Sequence, residues 1–233
     1  MTVVTPSGNT VVERATIALL AATPEVTPHF SRSSVFGVSD PFPDMYDWDS
    51  MISAVRLLAH ARPDIVIWNG SKGGSVGLDM ETALVRRMGE EACCPATTSL
   101  FAAFKALKLL DARTLGFITP YSDAYQKRVE TNFATWGFPT VTRANLAIAD
   151  NLAYASVELA TIIDMARDVA RARPDVIVGW CTNFPSGFLA DEIEAETGIP
   201  VVDATTVVLW QALRMLRIGT KDIRDWGRIF ALD

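Results

Sequence analysis

One cysteine lies just after a predicted parallel strand, at the strand end where a ligand can bind. The run Pro174-Asp175-Val176-Ile177-Val178-Gly179-Trp180-Cys181-Thr182-Asn183 is apolar up to Cys181 and then turns polar. Such short apolar runs are typical of buried parallel strands, whose carboxyl ends bind ligands in open α/β sheets. A helix that begins directly afterwards would stabilise the thiolate through its N-terminus. We interpret Cys181 as a nucleophile or as a proton donor to a carbanion, with a buried structural cysteine as the alternative.

The phrase that precedes this strand also occurs earlier in the chain. Ala-x-Ala-Arg-Pro-Asp occupies both Ala59–Asp64 and Ala170–Asp175. Six residues after the final aspartate lies Gly70 in the first copy and Cys181 in the second. The sequence therefore predicts a duplicated chain, with a thiol at one position and a bare backbone at its equivalent.

Polar loops follow the other strands that the repeat predicts. Gly70-Ser71-Lys72-Gly73-Gly74-Ser75 can cradle an anion with its N–H groups, or it is a plain flexible loop; it lacks the spacing of a nucleotide P-loop. Lys72 adds charge to this loop or is simply solvated. Asn9 and Tyr121, in the turns after the first strand of each half, can donate to a carboxylate, although each alone is typical of turns. Asn151 is by default a helix cap.

Strand and helix patterns alternate along the whole chain. This alternation predicts an α/β fold of two similar Rossmann-like lobes, each a short parallel sheet flanked by helices, whose carboxyl edges share one cleft. The first lobe is predicted to contain residues 1–110 plus 205–233, and the second residues 111–204. The tail Gly219–Asp233 is expected to close against the first lobe, and Pro41-Phe42-Pro43 is predicted to be a loop.

Composition narrows the class of protein. The chain has 233 residues, of which 49% are hydrophobic, and a net charge of −6, without the basic patch that nucleic acid requires. No apolar run is long enough for a bilayer and no basic n-region precedes one, so we expect a cytoplasmic protein with no membrane partner. Two histidines and no Cys-x-x-Cys spacing predict no transition-metal site, with a site made of carboxylates as the open alternative, and Cys93-Cys94 are interpreted as structural.

Together these residues resemble the aspartate/glutamate racemase superfamily, in the branch that holds maleate cis–trans isomerase and arylmalonate decarboxylase. The resemblance covers nearly the whole chain. Its motifs are Pro6-Ser7-x-Asn9-Thr10, Gly70-Ser71, Thr119-Pro120-Tyr121, Asn151 and Cys181.

The resemblance implies a reaction and a set of site residues. Racemases and isomerases of the superfamily place one cysteine in each lobe, and here Gly70 stands at the first position, as in arylmalonate decarboxylase. There one carboxylate is held by backbone and hydroxyl donors, the other leaves as CO2, and the cysteine protonates the enediolate. Cys181 is the implied proton donor. The implied carboxylate-binding residues are Asn9, Gly70, Ser71, Tyr121, Asn151 and Thr182.

The resemblance also implies no cofactor, a small dicarboxylate or substituted malonate as substrate, and a homo-oligomer. A decarboxylase further needs an apolar pocket for the departing carboxylate. Trp68 and Trp180 flank the two loops and are candidates for its lining, with core packing as the alternative. Isomerisation or racemisation with one thiol, a hydrolase or lyase with Cys181 as nucleophile, and a non-catalytic small-carboxylate binding protein remain as alternative functions.

Overall fold

A computed structural model describes residues 1–37 and 43–232, so the predicted loop at Pro41-Phe42-Pro43 falls mostly outside the described residues. Within these ranges the strands form two four-stranded sheets, and every pairing between neighbouring strands is parallel. The strands are β1 Thr2–Pro6, β2 His29–Ser33, β3 Val66–Trp68, β4 Ala96–Thr98, β5 Leu115–Thr119, β6 Thr140–Asn145, β7 Val176–Gly179 and β8 Val201–Asp203. The order β2-β1-β3-β4 in the first sheet is repeated as β6-β5-β7-β8 in the second, which confirms the predicted fold class.

Helices connect the strands and flank both sheets. They are α1 Val12–Leu20, α2 Trp48–Ala59, α3 Gly73–Val76, α4 Leu78–Ala92, α5 Ser99–Leu109, α6 Asp123–Thr135, α7 Leu159–Ala170, α8 Ala190–Thr197 and α9 Thr206–Met215. Short 3-10 helices cover Leu152–Ser156, Pro185–Leu189 and Arg228–Ala231. None of the helices in the described ranges is long and apolar enough to cross a bilayer.

The repeated phrase folds in the same way in both halves. Helices α2 and α7 end at its first alanine, and in each copy the arginine N–H donates to that alanine's carbonyl at 2.9 Å. Arg62 and Arg173 both take left-handed φ angles, +47° and +51°, which end a helix as a C-terminal cap does. The following proline prevents the helix from continuing. Each copy thus turns its chain into a central strand, β3 or β7.

The C-terminal residues connect elements of both sheets. Helix α9 packs against α5 and α1 and also contacts β4 of the first sheet and β8 of the second. The described part of the tail contacts α8, which flanks the second sheet: the Gly227 N–H donates to the Asp191 carboxylate at 2.6 Å, and Arg228 pairs with Glu194. The indole of Trp226 also packs on Phe188, with ring centroids 5.2 Å apart.

Candidate active site

The loops after the four central strands surround one cavity of about 320 Å³. Strands β1, β3, β5 and β7 are the inner pair of each sheet, and their carboxyl ends lead to Asn9, Ser71, Tyr121 and Cys181 respectively. Two similar sheets therefore contribute equivalent edges to one site, as ligand sites in parallel α/β sheets require. The described residues that line it are Pro6, Asn9, Val35, Phe36, Gly37, Trp68, Ser71, Lys72, Tyr121, Ser122, Tyr125, Ile148, Ala149, Asn151, Tyr154, Cys181, Thr182 and Asn183.

Most residues that the sequence singles out lie together at this cavity, and Gly70 is the exception. The cavity is lined by Cys181, Asn9, Ser71, Tyr121, Asn151 and Thr182, whereas Gly70 is absent from its lining. An ideal Cβ on Gly70 would lie 2.2 Å from Cζ2 and 2.3 Å from Cε2 of Trp68. The indole ring thus occupies the space of a side chain at residue 70. Trp68 lines the cavity and Trp180 does not; the latter is fully buried against Phe133.

Asn9 joins the two halves of the site. Its Oδ1 accepts hydrogen bonds from the N–H groups of Val11 and Val12, both at 2.8 Å, where α1 begins. This orients the carboxamide so that Nδ2 donates to the Thr182 hydroxyl at 3.2 Å across the cleft. Both residues are 2% exposed, so their polar atoms are withdrawn from bulk water. An amide donor and a hydroxyl are therefore held together on one side of the cavity.

A second pair of donors crosses the cleft at Ser71 and Tyr121. Their hydroxyl oxygens lie 2.8 Å apart, and both residues are buried. The Tyr121 ring packs against Tyr125 and Tyr154, with centroids 4.6 Å and 5.9 Å away. The Tyr125 hydroxyl also donates to the Ser75 hydroxyl of the opposite loop at 2.9 Å. These contacts fix the position of the Tyr121 hydroxyl.

Asn183 is a lining residue that the sequence did not single out. Its Oδ1 accepts from the Thr10 N–H at 2.9 Å, and its Nδ2 donates to the Asn151 carbonyl at 2.7 Å. The signal for it was its place in the same loop as Cys181, two residues later. Tyr125 lies in the first turn of α6, directly after the turn that contains Tyr121, and could have been found by that closeness in sequence. Tyr154 has no such local signal.

The thiol of Cys181 is held in its protonated form. The residue is 3% exposed, and burial raises the pKa of the thiol to about 12, although the Tyr121 hydroxyl and the N–H groups of Asn183 and Phe184 lower it. Backbone N–H groups thus stabilise the thiolate, but the segment that follows is the 3-10 helix Pro185–Leu189 and not the α-helix predicted there, and desolvation outweighs the stabilisation. At neutral pH the thiol is therefore protonated and can act as a proton donor.

The buried carboxyl group of Asp203 contributes to this effect. Its Oδ1 accepts from the N–H groups of Thr205 and Thr206 at 2.9 and 3.0 Å, and Ser186 donates to its Oδ2 at 2.6 Å. Burial raises the pKa of Asp203 to about 6, so it is mostly ionised above neutral pH, and its charge raises the pKa of Cys181.

Asp203→Asn is therefore expected to lower the pKa of the Cys181 thiol, because the substitution removes a nearby negative charge and keeps the side-chain shape. Titration of the thiolate by ultraviolet absorbance measures this, with Cys181→Ala and the Asp203→Asn/Cys181→Ala double variant giving the backgrounds to subtract. An unchanged or raised thiol pKa would contradict the electrostatic role of Asp203.

A metal or a cofactor has few possible ligands in the described residues. No three His, Cys, Asp or Glu side chains there cluster as metal ligands do. The lining instead offers neutral donors, hydroxyls and amides, with Lys72 as its single formally charged member among the described residues. Such donors suit a carboxylate ligand.

The fold and the site define a two-lobed α/β enzyme with one buried thiol in a cleft of hydrogen-bond donors. Residues 45–230 match the family model described as arylmalonate decarboxylase, and the chain belongs to this family. The arylmalonate decarboxylase of Bordetella bronchiseptica is 27% identical over 203 residues, which cover 85% of each chain. The maleate isomerase of Nocardia farcinica is 26% identical over 246 residues, covering 99% of this chain and 94% of the relative.

Solved structures of both enzymes share the fold. The maleate isomerase Iso from Pseudomonas putida S16 has a TM-score of 0.90 at 24% identity, covering 99% of this chain and 97% of that one. Unliganded arylmalonate decarboxylase has a TM-score of 0.79 at 24% identity, with 98% and 96% coverage. These findings confirm the superfamily branch that the sequence resembles, and the protein is an enzyme of the arylmalonate decarboxylase and maleate isomerase type.

Proposed function

We propose that the protein decarboxylates a small substituted malonate, and that Cys181 gives a proton to the resulting enediolate. One observation carries this proposal: a single buried thiol lines a cavity of hydrogen-bond donors, and the equivalent position in the other half, Gly70, has no room for a side chain. The two remaining cysteines, Cys93 and Cys94, are exposed and half-buried and do not line the cavity.

The donors on both sides of the cleft support binding of a carboxylate whose charge grows during the reaction. We assign this binding to Asn9, Ser71, Tyr121, Asn151 and Thr182. Donors that are already oriented where negative charge develops stabilise a transition state without reorganising at the moment of reaction. On this assignment Gly70 does not touch the substrate, and its role is to leave room for the Trp68 indole.

The polar groups of the cavity suit an anionic substrate. Lys72 is 7% exposed, and its ammonium lies 5.9 Å from the centre of the Tyr46 ring. The other polar groups that line the cavity are hydroxyls and amides, which bind a carboxylate through charge-assisted hydrogen bonds.

The proposed chemistry uses the thiol as an acid. The bond between the α-carbon and the departing carboxylate breaks, CO2 leaves, and the bond electrons form the enediolate. The S–H proton of Cys181 then moves to the α-carbon, and water reprotonates the thiolate. The Tyr121 hydroxyl and the N–H groups of Asn183 and Phe184 stabilise that thiolate. The apolar side chains of Trp68, Val35, Phe36 and Ile148 form a surface beside which a carboxylate is poorly solvated, which favours its release as neutral CO2.

Isomerisation of maleate is the second candidate. Asn9 and Asn151, which resemble the carboxylate-binding asparagines of the isomerases, both face the cavity. Addition of sulfur to a double bond requires a thiolate, however, and a thiol with a pKa of about 12 is rarely ionised at neutral pH. The missing second side chain at residue 70 also removes the partner that a two-thiol mechanism uses. Decarboxylation needs only the protonated thiol.

The purified protein should be incubated separately with methylmalonate, phenylmalonate and maleate, and CO2, the monoacid products and fumarate should be measured. We expect CO2 and a monoacid from at least one malonate and no fumarate. Fumarate without CO2 would contradict decarboxylation and support isomerisation. Binding of the acids without conversion of any of them would support a carboxylate-binding protein.

A further inference from the structure

The two halves of the site place a side chain and a glycine at opposite members of the same two repeat positions. In the repeat, Trp68-Asn69-Gly70 is equivalent to Gly179-Trp180-Cys181. Where the first half has an indole at the strand end and nothing two residues later, the second half has no side chain at the strand end and a thiol two residues later. A Cβ on Gly179 would lie 2.3 Å from the Ser186 hydroxyl, so the space there is already filled.

The indole of Trp68 is fixed by its surroundings. It is fully buried, and the Tyr46 ring meets it edge-on at 6.0 Å between centroids and 87° between planes. The hydroxyl of Tyr46 donates to Glu81, whose other carboxylate oxygen accepts from Thr98. Tyr46, Glu81 and Thr98 are at most 2% exposed. The ring packs against this hydrogen-bonded group, and moving it would disturb a close-packed part of the core.

The loop that carries Ser71 also rests on this network. A Cβ on Gly73 would lie 2.3 Å from Oε1 of Glu81, so the loop backbone contacts the carboxylate directly. The wall formed by Trp68, Tyr46 and Glu81 therefore sets the size of the cavity on the first-half side. It also sets how closely the loop with Ser71 approaches Tyr121.

We propose that Trp68 is the specificity-determining residue of this site. Its indole replaces a side chain at residue 70 and forms the cavity wall in the half opposite Cys181. It selects malonates whose α-substituent is compact and disfavours those with an aromatic ring. This inference rests on the proposed function, because it takes malonates as the substrates. A smaller side chain at residue 68 opens the wall and shifts the preference toward larger substituents.

The first test measures binding without turnover, in the Cys181→Ala background. Dissociation constants of phenylmalonate and methylmalonate are measured by calorimetry with Trp68, with Trp68→Phe and with Trp68→Leu. We expect Trp68→Leu to shift the ratio of the two constants in favour of phenylmalonate about tenfold, a size typical of small changes in apolar pockets. Trp68→Phe keeps the protein testable if the leucine variant does not fold, and it is expected to shift the ratio in the same direction.

Trp180→Leu is the matched control, since it removes an equally buried indole next to Cys181 that does not line the cavity. This control should lower the stability of the protein but leave the ratio of the two dissociation constants as it is with Trp180 in place. If malonates bind and the ratio is the same in all variants, the specificity role of Trp68 is wrong while the proposed function stands. If no malonate binds to any form, the proposed function fails and the specificity role fails with it.

The second test needs no substrate. Gly70→Ala is expected to lower Tm by on the order of 5 °C, because overpacking a filled core is destabilising and Tm responds by a few degrees to each kcal/mol at this chain length. In the Trp68→Leu background the same change should cost less than half as much. Equal losses in the two backgrounds would show that the indole does not occupy the space of residue 70 and would overturn the proposal.

Discussion

Cys181→Ala is expected to lower kcat for CO2 release from malonates by on the order of 10²–10⁴-fold, the range that a positioned acid contributes. The substitution removes the thiol that donates the proton, while the carboxylate-binding donors stay in place. The measurement is the rate of CO2 release from methylmalonate, with calorimetry to establish that the variant still binds the substrate.

Cys93→Ala is the matched control, because it removes an exposed thiol that does not line the cavity. It should keep the wild-type rate. Cys181→Ser should remain close to the alanine variant, since a hydroxyl is a much weaker acid than a thiol. Full activity in Cys181→Ala with unchanged binding would remove this residue from the mechanism.

Glu81→Ala is expected to produce the largest loss of stability, about 3–5 kcal/mol in the free energy of unfolding. The substitution leaves the hydroxyls of Tyr46 and Thr98 without their acceptor in a fully buried place and opens a cavity beside them. Chemical denaturation measures the loss. Glu90→Gln on the same helix is the control, because Glu90 forms an exposed pair with Arg86 and should change stability by less than about 0.5 kcal/mol.

The pH dependence of the free energy of unfolding tests the role of Glu81 in a second way. Burial raises the pKa of Glu81 from 4.5 to about 7, so between these values the folded protein holds a proton that the unfolded chain releases. The stability that the protonated Glu81 contributes is therefore complete below pH 4.5 and is lost as the pH rises toward 7. Glu81→Gln should flatten that part of the profile. Asp203, whose pKa is raised to about 6, keeps its own slope in a lower window. A profile unchanged by Glu81→Gln would contradict the raised pKa.

Much of the fold could be predicted because its signals are local. The alternation of strand and helix patterns gives the parallel sheets, and the repeated phrase before β3 and β7 gives the duplication. That phrase encodes a helix end, a left-handed arginine and a proline in each copy, so the similarity of sequence is also a similarity of backbone. The position of Cys181 at a strand end follows from the same local pattern.

What the sequence did not reveal depends on contacts through space. The sign of the Cys181 pKa shift is a balance between burial and hydrogen bonds, and only the packed structure gives the burial. The indole of Trp68 fills the space of Gly70 because of how the ring turns after β3, which spacing alone does not determine. Tyr154 reaches the cavity from a distant segment, and the tail packs on α8 through Gly227 and Arg228.

The most direct test of the central claim is the product formed in D2O from α-ethyl-α-methylmalonate, which has no exchangeable hydrogen on its α-carbon. With one thiol on one side of the enediolate, we expect 2-methylbutanoate with a single deuterium on the α-carbon and a single configuration. Mass spectrometry and chiral chromatography measure both. A racemic labelled product, formed faster than the acid racemises by itself, would contradict protonation by Cys181 from one side.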